Sequence, residues 1–404
     1  MLSPDQVKPH LLHDDRWVRQ AAMDYFVEVR SPDPEVAGLM LEAHERYWRK
    51  GEFPLLYHLD DVLLDDATAE RIFTLLATTE SHVTRIQLNR AVAAFPISFL
   101  RRERERVEVH PRVSAEARAQ IRLRLELAGL SDQELWRRFL EFSGRDRMQR
   151  NPVQAGPGDC DAFTAELATR GTPGDEAILE VLRSRAYDGT WFQVLLVKLA
   201  GARGLKGAVP DILRRIAKQT ADDDFRPNFD LEALVRIGDP AVARLILERW
   251  PRFSERARMD ASQVLGGIKA PESEDALLAL LAEEKDADVR FYIAEGLCEL
   301  FSRRGIGPVL KVIRDGDGAS YDEPLERKLL PVLDVLGVEL PEAEAWRQAR
   351  AEDHARHPLR DEPSPEVERI HRELLATMEA IYRSDEEVHR IYSELGRRFA
   401  EESE

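Results

Sequence analysis

The chain has 404 residues, of which 43% are hydrophobic and 33% charged, and a formal net charge of −17. That length exceeds what one compact core usually holds, so several domains or one elongated array is expected. The balance is too apolar for a disordered chain and too charged for a membrane protein, and the negative charge works against general binding to phosphate-rich surfaces.

No run approaches the ~18 apolar residues of a membrane span. Met1-Leu2-Ser3-Pro4-Asp5 has neither the basic nor the apolar stretch of a secretory leader. Two cysteines, Cys160 and Cys298, suit a reducing compartment better than a disulfide framework, so a cytoplasmic location is expected.

Taken in chain order, nearly every segment carries helical periodicity, with Val and Ile in 3.6-residue stripes rather than alternating runs. Asp15-Arg16-Trp17-Val18-Arg19 leads into Ala21 and Ala22, and His82-Val83-Thr84-Arg85 is a looser version of the same pattern. Residues 101–157 then break the rhythm. Arg101, Arg102, Arg104 and Arg106 alternate with Glu103 and Glu105. Ser114 is a candidate N-cap for a helix over 115–128, and the segment from Leu130 to Glu134 carries a capping-box pattern. The stretch from Asn151 to Asp159 is rich in Gly and Pro and reads as a boundary.

Downstream, helix–turn–helix units recur. Leu234 to Pro240 aligns with Leu265 to Pro271 at an offset of 31 residues, and Leu199 lies 35 residues before Leu234. Each Pro precedes an apolar helix, Ala241 to Leu247 and Ala276 to Leu281. Asp286-Ala287-Asp288-Val289-Arg290 opens another helix, which continues through Leu300. A period in the low thirties with two helices per unit is that of an α-solenoid, whose stacked neighbours supply the core. At the far end, Ser364 and Pro365 open the first of two related helices, Val367 to Leu374 echoing Val388 to Leu395. Their narrow apolar stripe suits capping of the array, docking of a partner helix or self-association.

These residues resemble the HEAT-like repeats of the short bacterial type, also called PBS-lyase-type repeats. Such units commonly read Asp-x-x-Val-Arg at the start of one helix and Gly-Asp-Pro in the turn before the next. Asp286 to Arg290 and Gly238-Asp239-Pro240 match closely, Asp15 to Arg19 matches near the N-terminus, and Glu255-Arg256-Ala257-Arg258 is a degenerate version. The likeness covers residues 187–337 and, more loosely, 10–100. It implies an all-α fold, an α-α superhelix of HEAT-like repeats with a C-terminal helical appendage. It also gives Val18, Arg19, Gly238, Asp239, Pro240, Val289 and Arg290 structural roles. The Val should point inward, and Arg19 and Arg290 should line an inter-repeat ladder with acidic neighbours.

Candidate chemistry is sparse. The deoxyhypusine hydroxylases resemble this fold and hold two irons through several His-Glu pairs, but His44-Glu45 is the sole such pair here. None of the ten histidines lies between residues 111 and 353. His10 with His13, and His354 with His357, lack a carboxylate at a fixed third position for a metal. No phosphate loop, nucleophile elbow or dinucleotide fingerprint is present. No residue is therefore assigned to catalysis, a cofactor or a metal. The family's name alone suggests a lyase or chaperone for a chromoprotein, and no residue supports that.

The alkylpurine DNA glycosylases of HEAT-like build offer a second comparison, since they use a basic groove with aromatic side chains. Residues 101–150 hold thirteen Arg and nine Asp or Glu, and Trp136 lies among Arg137, Arg138, Arg145, Arg147 and Arg150. Against that, Leu135, Trp136, Phe139, Leu140 and Phe142 fall on one apolar face, and alternating Arg and Glu suits a solvated one. Acidic stretches favour a basic protein partner instead: Asp222, Asp223 and Asp224 in a loop, seven acids between Glu272 and Asp288, and a net of −7 over 341–404.

The expected organisation is thus HEAT-like repeats over 1–100, an Arg-rich helical insertion and linker over 101–157, further repeats over 158–340 and an acidic helical appendage over 341–404. The expected function is a non-catalytic, protein-binding scaffold or adaptor without cofactor or membrane contact. The alternative is a nucleic-acid-binding or base-repair protein using 101–150. Candidate partner-binding residues are Arg101, Arg102, Arg104, Arg106, Trp136, Arg137, Arg138, Asp222, Asp223 and Asp224.

Overall fold

Every regular element among the described residues is helical. The structure, a computed structural model, describes residues 1–47, 55–144, 157–170, 174–184, 190–218, 227–317 and 324–356. In chain order the helices are α1 (Pro4–Val7), α2 (Arg16–Glu28), α3 (Pro34–Tyr47), α4 (Asp66–Thr78), α5 (His82–Ala93), α6 (Ile97–Arg102) and α7 (Arg104–Val109). Next come α8 (Ala115–Leu127), α9 (Asp132–Gly144), α10 (Pro157–Thr169), α11 (Asp175–Ser184), α12 (Trp191–Ala202), α13 (Val209–Ile216) and α14 (Pro227–Ile237). The last are α15 (Ala241–Arg249), α16 (Glu255–Gly267), α17 (Pro271–Glu283), α18 (Ala287–Glu299), α19 (Ile306–Asp315), α20 (Leu325–Leu336) and α21 (Ala343–Arg356). A 3-10 helix, Leu55–Asp61, stands between α3 and α4.

Two kinds of helix opening recur. A short polar side chain caps one set: Asp15 accepts from the amides of Trp17 and Val18, Ser81 from Thr84, Ser114 from Ala117, Thr190 from Gln193, Ser254 from Ala257 and Asp286 from Asp288 and Val289. Proline opens several of the others, at Pro34 of α3, Pro210 of α13 and Pro271 of α17. Its missing amide costs nothing there. Gly238-Asp239-Pro240 combines both devices. Gly238 takes a left-handed φ of +60° that ends α14, and the Asp239 carboxylate accepts from the Ala241 amide before Pro240 leads into α15.

The six helices capped at Asp15, Ser81, Ser114, Thr190, Ser254 and Asp286 belong to one inner row, whereas α4 and α9, capped by Asp65 and Ser131, lie outside it. α2, the 3-10 helix, α5, α8, α10, α12, α14, α16, α18 and α20 each touch the next, and α20 packs against α2, closing the row on itself. α2 also touches α14 and α18. Outside it, α11, α13, α15, α17 and α19 form a second run of neighbours. Residues 101–144, read from the sequence as part of an insertion, contribute α8, which touches α5 on one side and α10 on the other. Residues 1–355 form one compact unit. The two helices expected after Ser364 lie outside the described residues.

Arginines tie successive units together. The C-terminal carbonyls of a helix lack partners of their own, and an arginine about one unit away in the chain supplies them. Arg124 donates to Ala93 O at 2.6 Å and Phe95 O at 2.8 Å, Arg203 to Leu167 O at 3.0 Å, Arg214 to Leu182 O at 2.8 Å and Arg303 to Leu336 O at 2.7 Å. Arg19 works within its own unit. It is almost fully buried, donates to the carbonyls of His13 and Asp14 and stacks over Tyr47. Arg290 instead pairs with Asp315 at 2.9 Å and Asp317 at 2.7 Å, at the end of α19. Val18 and Val289 are both fully buried.

Successive inner helices approach closely at α12 with α14 and at α16 with α18. A Cβ added at Gly266 would sit 2.7 Å from Gly296 Cα, closer than packed atoms approach. Gly266→Ala should therefore lower unfolding free energy by about 1–3 kcal/mol, because the clash is with backbone. Gly307→Ala is the contrast: no atom lies within 4 Å of its added Cβ, so helix propensity should leave it neutral or up to ~1 kcal/mol more stable. Denaturant titrations of both variants check this, and equal effects would refute it.

Candidate functional site

Because the row closes, the ends of its helices converge on one recess of about 430 Å³. It is lined from the end of α2, the 3-10 helix, α5, α8, α10, α12 and α14. Small residues, among them Ala162, Ala165, Ala168, Gly201 and Ala202, leave the space open. Five cations reach it, Arg30, Arg90, Arg124, Lys198 and Arg236, together with two carboxylates, Asp60 and Asp61.

Most of these charges hold one another in place. Arg30 lies 3.3 Å from Asp61 and 3.6 Å from Glu232, which also binds Arg236. Arg90 pairs with Asp60 at 3.0 Å and lies over the Tyr57 ring. Lys198 lies 5.4 Å from the Phe229 centroid. Burial lifts the Asp60 carboxyl above its ordinary value against the pull of Arg90. Burial works the same way on Asp61, but the His58 hydrogen bond and Arg30 outweigh it and hold that group low.

Arg124 differs from its neighbours. Its two hydrogen bonds go to backbone carbonyls, its Nε has no partner, and among the described residues it forms no ion pair. Burial therefore lowers its pKa, with only partial relief from Glu166. Arg30 and Arg90 are 45% and 41% exposed, so water and solutes reach the recess.

The sequence-selected residues lie elsewhere. Arg101 donates to Ala128 O, Arg102 pairs with Asp66 and Glu103, and Arg106 grips Glu70 through both Nη atoms at 2.8 Å. Arg104 is exposed on α7. Arg137 pairs with Glu134 and Glu141, and Arg138 with Glu126 and Glu134. Trp136 is half-buried, its ring 5.4 Å from that of Phe139 and against the backbone of Gly174. Asp222, Asp223 and Asp224, like Arg145, Arg147 and Arg150, lie outside the described residues. None of the described candidates enters the recess. The recess cations carry a weak signal of their own: Arg90, Arg124, Lys198 and Arg236 each lie in the later half of an inner helix, at unit-like spacings.

Among the described residues, one trio of carboxylates, Glu255, Asp286 and Asp288, could close on an ion. All three are exposed, and Asp286 already caps α18. Cys298 is buried, which pushes its thiol pKa well up and away from reactivity.

A second, smaller cavity of about 130 Å³ lies where α2 meets α18 and α20. Asp24, Glu28 and Glu299 line it beside Lys328. Lys269 bridges the same seam, 2.7 Å from Glu28 and 3.3 Å from the Glu299 carbonyl. Lys328 lies 3.3 Å from Glu295. Burial, then the charge of Glu28, pushes the Asp24 carboxyl up to about 6. Burial, with Glu28 and Glu295, raises Glu299 well above the carboxylate range.

Both groups hold a proton more tightly folded than unfolded. For Asp24 the stability this confers is full below about pH 4 and is lost as pH rises through about 6. Asp24→Asn keeps the protonated shape. It should be close to neutral near pH 4 and should raise unfolding free energy at pH 8 by about 1–3 kcal/mol over wild type. Denaturant titrations at the two pH values measure this, and an effect of equal size at both would refute it.

No protein-family model matches the chain, and no curated protein matches it.

Proposed function

We propose that the chain is a HEAT-like repeat protein acting as a non-catalytic scaffold or adaptor, and that the recess receives a segment of its protein partner. One observation carries this reading: seven successive inner elements turn side chains into a single recess. Helix ends fixed by caps and carbonyl-binding arginines hold that surface ready-made, so little ordering cost falls on the scaffold. The resemblance of Asp15 to Arg19, Asp286 to Arg290 and Gly238-Asp239-Pro240 to HEAT-like units supports the fold assignment. The arginines of α6 to α9 support a surface role for that segment, since their carboxylate partners already occupy them.

The test is capture from nuclease-treated lysate of the source cells by wild type, Lys198→Glu and Arg137→Ala. A protein partner should survive nuclease, fall about tenfold with Lys198→Glu and persist with Arg137→Ala. A partner retained by Lys198→Glu would place the interface elsewhere. Recovery of nucleic acid alone would overturn the scaffold reading.

A further inference from the structure

The two ends of the row meet with like charges toward each other. Asp24 and Glu28 lie four residues apart on α2, and Glu295 and Glu299 lie four residues apart on α18. That spacing puts each pair on one face of its helix. Asp24, Glu28 and Glu299 border the cavity of about 130 Å³ at the seam, beside Tyr25 and Phe301.

Two lysines stand among these four carboxyls. Lys269, in the turn after α16, bonds Glu28 at 2.7 Å, Gly266 O at 2.9 Å and Glu299 O at 3.3 Å. Those three bonds occupy the three hydrogens of its ammonium. Lys328 of α20 lies 3.3 Å from Glu295, and Arg327 beside it pairs with Asp353. Both lysines draw Glu299 toward ionisation, and Lys328 and His58 of the 3-10 helix draw Asp24 the same way. His58 is itself 3.2 Å from Asp61. Asp24 accepts from the Gln20 amide at 2.8 Å. Burial and the neighbouring carboxylates outweigh these pulls at both groups. Charges on other elements meet α2 nearer its ends: His13 and Arg350 at Asp15, and Glu232 of α14 at Arg30. Beyond Phe301, Glu274 of α17 is engaged by Ser302 and Arg304.

We propose that this seam is a proton-operated latch: the ends of the row stay joined while Asp24 and Glu299 are protonated, and α2 parts from α18 and α20 once both are ionised. Ionisation sets four carboxylates facing one another in a space closed to most water, where their repulsion is strong. Protonation removes that repulsion and lets each carboxyl donate as well as accept. A group that holds its proton more tightly in the closed state favours closure at low pH. That effect is lost as pH rises, through about 6 for Asp24. Parting admits water to the cavity, breaks the contact of Tyr25 with Phe301 and moves Val29 and Arg30, which reach the recess from the end of α2. The inference rests on the seam alone and does not require the recess to receive a protein.

Hydrogen exchange of the full chain at about pH 5 and pH 8 tests this, with protection corrected for the intrinsic pH dependence of amide exchange. α2 has 13 residues, too few to hold a helix in water once its packing is lost, so its amides report parting. Between the two pH values, α2 and α20 should lose about tenfold or more protection relative to α8, which packs between α5 and α10. The double variant Asp24→Asn with Glu299→Gln cannot ionise at these positions, and its loss should stay within about threefold. Glu272→Gln removes an exposed acid outside the seam and should leave the wild-type loss unchanged. Thermal melts show whether each variant folds. If the double variant does not, Asp24→Asn alone carries the test and should reduce the loss by about threefold or more. Equal losses in α2 and α8 would mean that pH acts on the whole fold and would overturn the latch. So would a wild-type loss in a folded variant lacking the Asp24 carboxyl, or an equal rescue by Glu272→Gln.

Discussion

The position of α2 against α14, α18 and α20 is the contact on which the rest of the molecule depends. A helix with one apolar stripe cannot bury it alone, and a row of helices normally leaves its two end members half covered. Here the end members cover each other. Tyr25 meets Phe301 with ring centroids 5.9 Å apart, Lys269 reaches Glu28, and Arg350 reaches Asp15 at 3.1 Å. Closure turns the inner helix ends toward a common centre and so creates a recess that no single helix pair could form.

Arginine performs three different tasks in this structure, and the tasks separate by environment. Arg203 and Arg303 satisfy carbonyls at helix ends, where a flat fork with five donors fits better than an ammonium. Arg106 and Arg122 make exposed pairs with Glu70 and Glu108, which contribute solubility and little stability. Arg124 satisfies carbonyls and also faces the recess, where Glu166 answers part of its charge. A high arginine count in residues 101–150 therefore says less about a ligand than the environment of one member does.

The helical class, the cap at Ser114, the helix openings at Asp15 and Asp286, and the turn at Gly238-Asp239-Pro240 were all legible in the sequence. Each depends on neighbours within four residues, where periodicity and capping chemistry act. The buried state of Val18 and Val289 was legible for the same reason. The recess was not. Arg30 and Glu232 are far apart in the chain, and their contact exists only because α2 meets α14. The arginines of α6 to α9 drew attention by density, yet their partners Asp66, Glu70 and Glu126 come from other helices. A window along the chain sees the charge and not its compensation. Nor did the sequence reveal the seam acids, since Asp24 and Glu299 look like ordinary surface carboxylates until two distant helices enclose them.

Closure also sets the order in which the molecule can assemble. The arginine-to-carbonyl contacts span little more than one unit, 33 residues for Arg303 and Leu336, whereas Lys269 and Glu28 are 241 residues apart. The entropy of bringing such distant segments together adds only about 2 kcal/mol over the local contact, so closure is thermodynamically modest. Kinetically it differs, because contacts of long sequence separation form late and slowly. α2 leaves the ribosome long before α20 exists to cover it, and domains begin to fold during synthesis. The growing chain thus passes through a stage in which the inner row is built but open, with the Tyr25 face of α2 uncovered. The emergence of α20 turns that row into a closed ring.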